Sequence, residues 1–342
     1  ISISPSTAFA EEVTITTASG NLSVPGCEET EEGCYTPSEA TVNVGEKLIE
    51  QIHQQHNYVK EKLHIDIRII GLSNSRNMLF NEAGLNLKSW KQELTQSEKA
   101  SISGFFNTVK SLNLRNSVFV DVTANKGVAD SYESYLKESI GVIACNKIAC
   151  SEDLDKYQNL KLLSKKYNAP FLFETNVGAG LPIIDTLNHL ITSGDEIHSI
   201  KAVLSGSLNF VFNNYNGTTS FHDIVKQAQD EGYTEPDPRI DLSGVDVARK
   251  ILILARESGF NINIEDIKND SFLSEEALHA ENVVAFYDVI NQEEAYYKEL
   301  YNTAKNKNCK LKYVAEFNNG KAKVGLNEIP KEHPFYNLEG KD

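Results

Sequence analysis

The stretch SVFVDVTANKGVADSYESYLKESIGVIACNK, residues 117–147, carries the pattern on which the fold turns. Residues 117–122 and 140–145 are apolar runs of strand length, and 130–138 between them have helical spacing. A strand, a helix and a second strand in so short a span form a right-handed crossover between parallel neighbours of a buried sheet. The pattern extends in both directions. Further apolar runs lie at 65–72 and 170–174, with helical stretches at 97–111 and 152–167. Residues 46–62, EKLIEQIHQQHNYVKEK, place Leu48, Ile49 and Ile52 on one helical face. The expected fold class is α/β, a Rossmann-type doubly wound parallel sheet covered on both faces.

Ligands of such sheets bind beyond the carboxyl ends of the strands. Ser73-Asn74-Ser75-Arg76, Thr123-Ala124-Asn125, Asn146-Lys147 and Thr175-Asn176 follow the four runs, and all are polar. One polar strand end is only a loop, whereas four on one edge make a cleft. An acid after the second strand selects NAD, and an arginine there accommodates the 2′-phosphate of NADP. Here the acid is missing and Arg76 is present, which favours NADP unless Arg76 is simply a solvated surface residue. The phosphate-binding strand and G-x-G-x-x-G turn should precede the helix at 46–62, yet only Val44-Gly45 has anything of that turn's composition. The nucleotide domain therefore reads as incomplete.

The chain has 342 residues, 40% hydrophobic and 24% charged, which suits about two globular domains. Thirty-three basic against 48 acidic residues give a net charge of −15, repelling phosphate backbones and anionic lipid. No apolar run approaches the ~20 residues that span a bilayer. Nucleic-acid and membrane roles are disfavoured, leaving small-molecule chemistry. Cys145, Cys150 and Cys309 are dispersed as in cytoplasmic proteins, whereas Cys27 and Cys34 in CEETEEGC could close a small disulfide loop of an exported one.

That conflict marks a boundary. No Lys or Arg precedes Lys47, and residues 1–44 hold seven glutamates. Ala8-Phe9-Ala10 looks like an export-signal cleavage site. The segment alternates like short strands and resembles the opening of an archaeal plastocyanin-like cupredoxin, although no histidine occurs before His53 to bind copper. A disordered acidic arm is the alternative. Either way residues 1–44 are expected to be foreign to the rest and to pack poorly against it.

TNVGAGLP at 175–182 joins a strand to a helix ending near Ser193, with Pro182 in its first turn and Gly194 beyond its end. It is either a tight turn with positive φ at its glycines or a ligand or cation loop. In GYTEPDPRIDLSGVDVARKILILARESG, residues 232–259, Ser220 and Asp223 cap the preceding helix, 233–241 form a proline-stiffened loop and Ser243 caps the next helix. Asp246 and Lys250 are four apart in a helix that is apolar nearly all round. Such a pair is either an exposed ion pair or a buried pocket, and the apolar surroundings favour the pocket. Glu235, Asp237, Asp241 and Asp246 around Lys250 suit binding of an ammonium group and proton transfer.

With LSGSLNFVF at 204–212 and GLSNSRNMLFNEAGLNLKSW at 71–90, these blocks make residues 45–342 resemble the homoserine dehydrogenase module, most closely that of bifunctional aspartokinase–homoserine dehydrogenases. The resemblance implies NAD(P)H-dependent reduction of L-aspartate 4-semialdehyde to L-homoserine, in threonine, methionine and isoleucine biosynthesis. It implies Lys250 as proton donor to the carbonyl oxygen, Lys147 as a second active-site lysine and Asp246 orienting Lys250. Glu235 and Asp241 would bind the substrate amino group. Ser75, Arg76, Thr123, Ala124 and Lys147 would contact NADP or NAD. Glu174 and the carbonyls of Val177, Ala179 and Leu181 would hold a monovalent cation, Na+ or K+. A cytoplasmic homodimer is implied, with no nucleic-acid or membrane partner.

The chain departs from the family at Ile240, usually aspartate, and at Cys145 and Ile148, usually proline and lysine. It also stops at Glu339-Gly340-Lys341-Asp342, where family members continue into a glycine-rich segment. The expected organisation is an acidic arm at 1–44, an incomplete nucleotide domain at 45–150, an α+β substrate, catalytic and dimerisation domain at 151–330 with a mixed or antiparallel sheet, and a truncated segment at 331–342. A hairpin of that sheet is signalled by alternating runs at 310–317 and 321–326 joined by Asn318-Asn319-Gly320. The join reads as artificial and the activity as impaired. The other classes are an inactive substrate- or cofactor-binding module of the same fold and an exported copper electron carrier.

Overall fold

The computed structural model describes residues 11–18 and 39–339, with 11–18 and 39–43 as backbone alone. The chain divides into two units, 1–180 and 181–342. The division falls inside TNVGAGLP rather than near residue 150, because the helix at Leu154–Lys166 and the strand that follows it complete the first sheet.

The first unit is built on β1 (Glu11–Ala18), β2 (Ile65–Ser73), β3 (Asn77–Phe80), β4 (Glu98–Lys99), β5 (Ser117–Asp121), β6 (Gly141–Ala144) and β7 (Phe171–Leu172). Their order is β4-β3-β2-β1-β5-β6-β7. The strands β2, β1, β5, β6 and β7 are parallel, as the crossover pattern requires, while β3 and β4 add an antiparallel edge that the sequence pattern does not suggest.

The expectation of a poorly packed arm fails at residues 11–18. β1 pairs in parallel with β2 from Glu11↔Ile65 to Ala18↔Ser73, with a register shift between Ile15 and Thr16, and with β5 from Thr14↔Ser117 to Ala18↔Asp121. It takes the central position of a doubly wound sheet, so the first strand is present. A strand paired on both sides satisfies its backbone groups whatever the charge of its sequence neighbours. Val44 and Gly45 lie within the Glu39–Lys62 helix and are not the remains of a turn. Residues 19–38, which join β1 to that helix, are outside the described residues, as are Ala8-Phe9-Ala10, Cys27 and Cys34.

Local signals account for the other elements. Ser101 Oγ accepts the Gly104 N–H at 3.1 Å to start Ile102–Leu112, which ends at Asn113 with φ 47°. Asp153 caps Leu154–Lys166 in the same way. Ile49 of the Glu39–Lys62 helix is buried with Ile69, Leu72 and Val120. Phe119 and Tyr135 stack at 4.1 Å below the carboxyl edge. Full burial of such side chains contributes roughly 1.5–3 kcal/mol each.

The second unit carries a four-stranded sheet of β8 (Ser199–Ala202), β9 (Ile267–Asp270), β10 (Cys309–Asn318) and β11 (Lys321–Pro330), in the order β8-β10-β11-β9. β10 and β11 form the expected hairpin, turning at Asn319 (φ 45°) and Gly320 (φ 83°). β9 pairs in parallel with β11, so the sheet is mixed. Phe221 and Tyr297 stack at 4.0 Å in the helical layer. Lys312 of β10 has no solvent exposure, and its Nζ donates to Asn209 Oδ1 (2.9 Å), Asn213 Oδ1 (2.5 Å) and the Leu338 carbonyl. Burial lowers its pKa to about 8. No helix among the described residues is long and apolar enough to cross a membrane.

Candidate active site

The second unit assembles a lysine and its carboxylates around three short helices. Ser220 caps Phe221–Asp230 by accepting the Asp223 N–H, and Gly232 follows with φ 73°. The segment expected to be a loop up to Asp241 contains a helix, Pro238–Leu242, because Asp237 caps it and Pro238 fits its first turn. Helix Val245–Glu257 then starts at Gly244, whose φ of 75° lies in the left-handed region, rather than at Ser243.

One turn into that helix, Lys250 Nζ lies 2.8 Å from Asp246 Oδ2, and it donates to the Leu204 carbonyl at 2.6 Å. The Lys250 side chain is 17% exposed and that of Asp246 40% exposed, so the pair opens to solvent on the carboxylate side. Among the described residues these are the two partners of the ammonium, which leaves one of its three N–H bonds for a further acceptor. Asp241 is fixed by two donors: Ser207 Oγ at 2.9 Å and the Glu235 N–H at 2.8 Å. Burial raises its carboxyl above the usual range, while those two donors and Lys250 act in the opposite direction.

Asp237, grouped with these carboxylates from sequence, instead faces Arg239, which donates to it from Nε (2.8 and 3.1 Å) and a terminal nitrogen (2.5 Å) and reaches the Ala280 carbonyl. Ile240, which replaces the family's usual aspartate, is 53% exposed.

In the first unit, Ser73, Asn74, Ser75, Thr123 and Asn125 rim a cleft of about 200 Å³ at the carboxyl edge of β2 and β5. Phe105, Phe119, Val128 and Tyr135 form its apolar floor. A polar rim over an aromatic floor fits a nucleotide base with its hydroxylated sugar. Arg76 is exposed, with its N–H on Asn74 Oδ1, and Ala124 is exposed beside buried Thr123. Lys147 is half-buried after β6, and its carbonyl accepts Cys150 N–H (3.1 Å) and Ser151 N–H (3.0 Å). Lys147 and the rim residues belong to one unit and the Lys250 cluster to the other.

Around TNVGAGLP, positive φ falls on Gly178 (79°) and Ala179 (50°) rather than on both glycines. Glu174, Val177 and Ala179 belong to the first unit and Leu181 to the second. The described residues hold no cluster of three or more His, Cys, Asp or Glu side chains placed for a metal.

Three participants carry no mark in the sequence that singles them out. Ser207 sits in the quoted LSGSLNFVF block, but nothing in that block shows which hydroxyl meets Asp241. The Leu204 carbonyl is backbone and has no sequence signal. Asp121, the last residue of β5, reads as part of an apolar run and is fully buried.

Residues 182–342 match the family described as homoserine dehydrogenase, and residues 43–174 match the family described as homoserine dehydrogenase, NAD binding domain. Over 303 residues, 87% of this chain, the sequence is 38% identical to a chloroplastic bifunctional aspartokinase/homoserine dehydrogenase 2 of Zea mays. It is 37% identical over 297 residues to the bifunctional aspartokinase/homoserine dehydrogenase of Haemophilus influenzae. The alignments cover 33% and 36% of those proteins, so the chain spans about a third of the length of the curated relatives it matches. Among solved structures, a Candida auris protein of unknown function superposes with a TM-score of 0.81 at 26% identity, covering 97% of this chain and 87% of that one. A hyperthermophilic archaeal homoserine dehydrogenase in complex with NADPH superposes with a TM-score of 0.66 at 20% identity, covering 95% and 84%, which extends the likeness of fold.

Proposed function

This chain belongs to the homoserine dehydrogenase family, and on that premise we propose that it catalyses the reversible NADPH-linked reduction of L-aspartate 4-semialdehyde to L-homoserine. The observation that carries the reading is Lys250, held between Asp246 and the Leu204 carbonyl with one N–H left over, in the same unit as Asp241. Glu235 and Asp241 hold the substrate ammonium. Lys250 donates a proton to the aldehyde oxygen, and Asp246 orients the lysine. The bound nicotinamide supplies the hydride to the aldehyde carbon. Lys147 is the second amine of the site.

NADP is the preferred cofactor, read from Arg76 and the missing acid after β2, with Ser75, Thr123 and Ala124 as further contacts. Glu174 and the carbonyls of Val177, Ala179 and Leu181 bind a monovalent cation. The protein is a homodimer of the cytoplasm, a compartment suited to reduced thiols such as those of Cys145 and Cys309. Turnover is lower than in a family member with a complete phosphate loop, because residues 19–38 hold Gly20, Gly26 and Gly33 but no G-x-G-x-x-G spacing. Following NADPH absorbance with L-aspartate 4-semialdehyde tests the reading. Oxidation that needs both the semialdehyde and Lys250 supports it, and a purified chain that binds NADPH without turnover would make it an inactive binding module.

A further inference from the structure

Asp121 is a carboxylate without solvent exposure whose three partners among the described residues are neutral donors. The Tyr132 hydroxyl, the Thr123 N–H (2.7 Å) and Asn146 Nδ2 (3.0 Å) all point their protons at it. Burial raises the Asp121 carboxyl, and the same burial holds the Tyr132 phenol well above its ordinary range, so the phenol remains the donor. A strand end that needed only packing would carry an apolar residue here, since a buried carboxylate without a cation is costly.

What the carboxylate holds is the chain on either side of Lys147. Asn146, 2% exposed, has its amide nitrogen shared between Asp121 and the Asn125 carbonyl (3.1 Å), and its oxygen accepts the Ile148 N–H (3.1 Å). The residues before and after Lys147 are thereby tied to one side chain, which Asp121 orients. From the other side, fully buried Asn176, with its amide turned so that nitrogen faces the Ala144 and Cys145 carbonyls, donates to both at 3.0 Å. Cys145 N–H in turn donates to the Asp121 carbonyl at 2.8 Å. The ends of β5 and β6 and the turn after β7 are stitched together by buried amides, with one carboxylate at the start of the chain of bonds.

We infer that Asp121 is a positioning residue for Lys147, its Tyr132-clamped carboxylate setting the Asn146 side chain that fixes the lysine's backbone. The inference rests on the proposed dehydrogenase activity only for what Lys147 does once placed.

Two measurements on the full chain test it. In Asp121→Asn, amide exchange at Ile148, Cys150 and Ser151 should accelerate about tenfold or more, with the amides of β6 little changed. Unchanged exchange at Ile148 in a folded variant would overturn the inference. In steady-state kinetics Asp121→Asn should lower kcat about 10–100-fold, the scale of a small misplacement of a reacting group. In a Lys147→Ala background the same substitution should lower kcat less than about twofold, because the lysine through which it acts is gone. An equal loss in both backgrounds would mean a purely structural role. If the parent chain shows no turnover, the proposed activity fails alone, and the exchange measurement still decides whether Asp121 sets this loop. Should Asp121→Asn not fold, Tyr132→Phe removes one clamp while keeping the ring and is read in the same way.

Discussion

Gly244 and Tyr313 leave each other no room: a Cβ on Gly244 would overlap the Tyr313 hydroxyl, which donates to Asn269 Oδ1 at 2.8 Å. The φ of 75° at Gly244 also lies where L side chains are strained. The start of the helix carrying Asp246 and Lys250 is thus set by a strand residue of β10. Gly244→Ala should lower stability by about 2–5 kcal/mol, from ~1–2 kcal/mol of backbone strain and ~1–3 of overpacking. Denaturant titration measures the loss, and adding Tyr313→Phe should recover part of it.

Lys250→Ala removes the proton donor and leaves the first unit untouched. We expect kcat to fall by on the order of 10²–10⁴, the usual range for a positioned general acid, with NADPH affinity within about twofold of the parent. Stopped-flow turnover together with fluorescence titration of NADPH separates the two. A matching loss of cofactor affinity would remove Lys250 from its assigned role.

Asp241 must be ionised to hold an ammonium, and burial raises its pKa. Its charge is therefore lost as pH falls through a range above that of an ordinary carboxylate. KM for L-aspartate 4-semialdehyde should climb as pH is lowered through that range. Asp241→Asn should raise KM about 10–100-fold at neutral pH, the scale of a charge-assisted hydrogen bond, and should flatten the pH dependence. An Asn variant that keeps the parent's slope would reassign the titration to another group.

Lys312, with its pKa lowered from 10.5 to about 8, makes stability depend on alkali. The folded state favours the neutral amine, so the stability it contributes is fully present above the unfolded pKa and is lost as pH falls through the folded value. Between pH 10 and 8 the parent should lose about 2 kcal/mol relative to Lys312→Met. Paired urea titrations at the two pH values give the difference, and parallel stability curves would show that Lys312 keeps its ordinary titration.

Backbone amides of Glu11–Ala18 should exchange as slowly as those of β2 and β5, because β1 is bonded on both sides. Thr16→Pro should unfold the first unit, since a proline cannot serve in a central strand. Rapid exchange across residues 11–18 would make them the separate arm that their composition suggests.

Much of this is legible in the sequence because the signals are local. Hydrophobic period locates β2, β5, β6 and the β10–β11 hairpin, and capping residues locate Phe221–Asp230. The alternation of β1 is legible as a strand, but its membership of the sheet is not: Glu11 and Glu12 open it, few large apolar residues follow, and the glutamate-rich stretch around it suggests a separate segment. Its place depends on β2 and β5, which no local pattern reports. The site divides likewise. The Asp246–Lys250 spacing can be read as a pair, whereas Asp237's engagement with Arg239 rather than Lys250 is decided by a helix too short to announce itself. Asp121 looks like one more strand residue because burial, not neighbouring sequence, makes a carboxylate significant.

During synthesis the central place of β1 makes it an early arrival without a partner. About a hundred residues separate Ala18 from the start of β5, so at roughly 5–20 residues per second the nascent strand waits some 5–20 s after emergence before both flanks can be translated. Throughout that interval it has two open edges, a form prone to pair with other unfinished chains. The seven glutamates and total lack of Lys or Arg in residues 1–44 give neighbouring nascent chains on a polysome the same sign of charge. Like charge on two such segments disfavours their pairing while the edges of β1 are open.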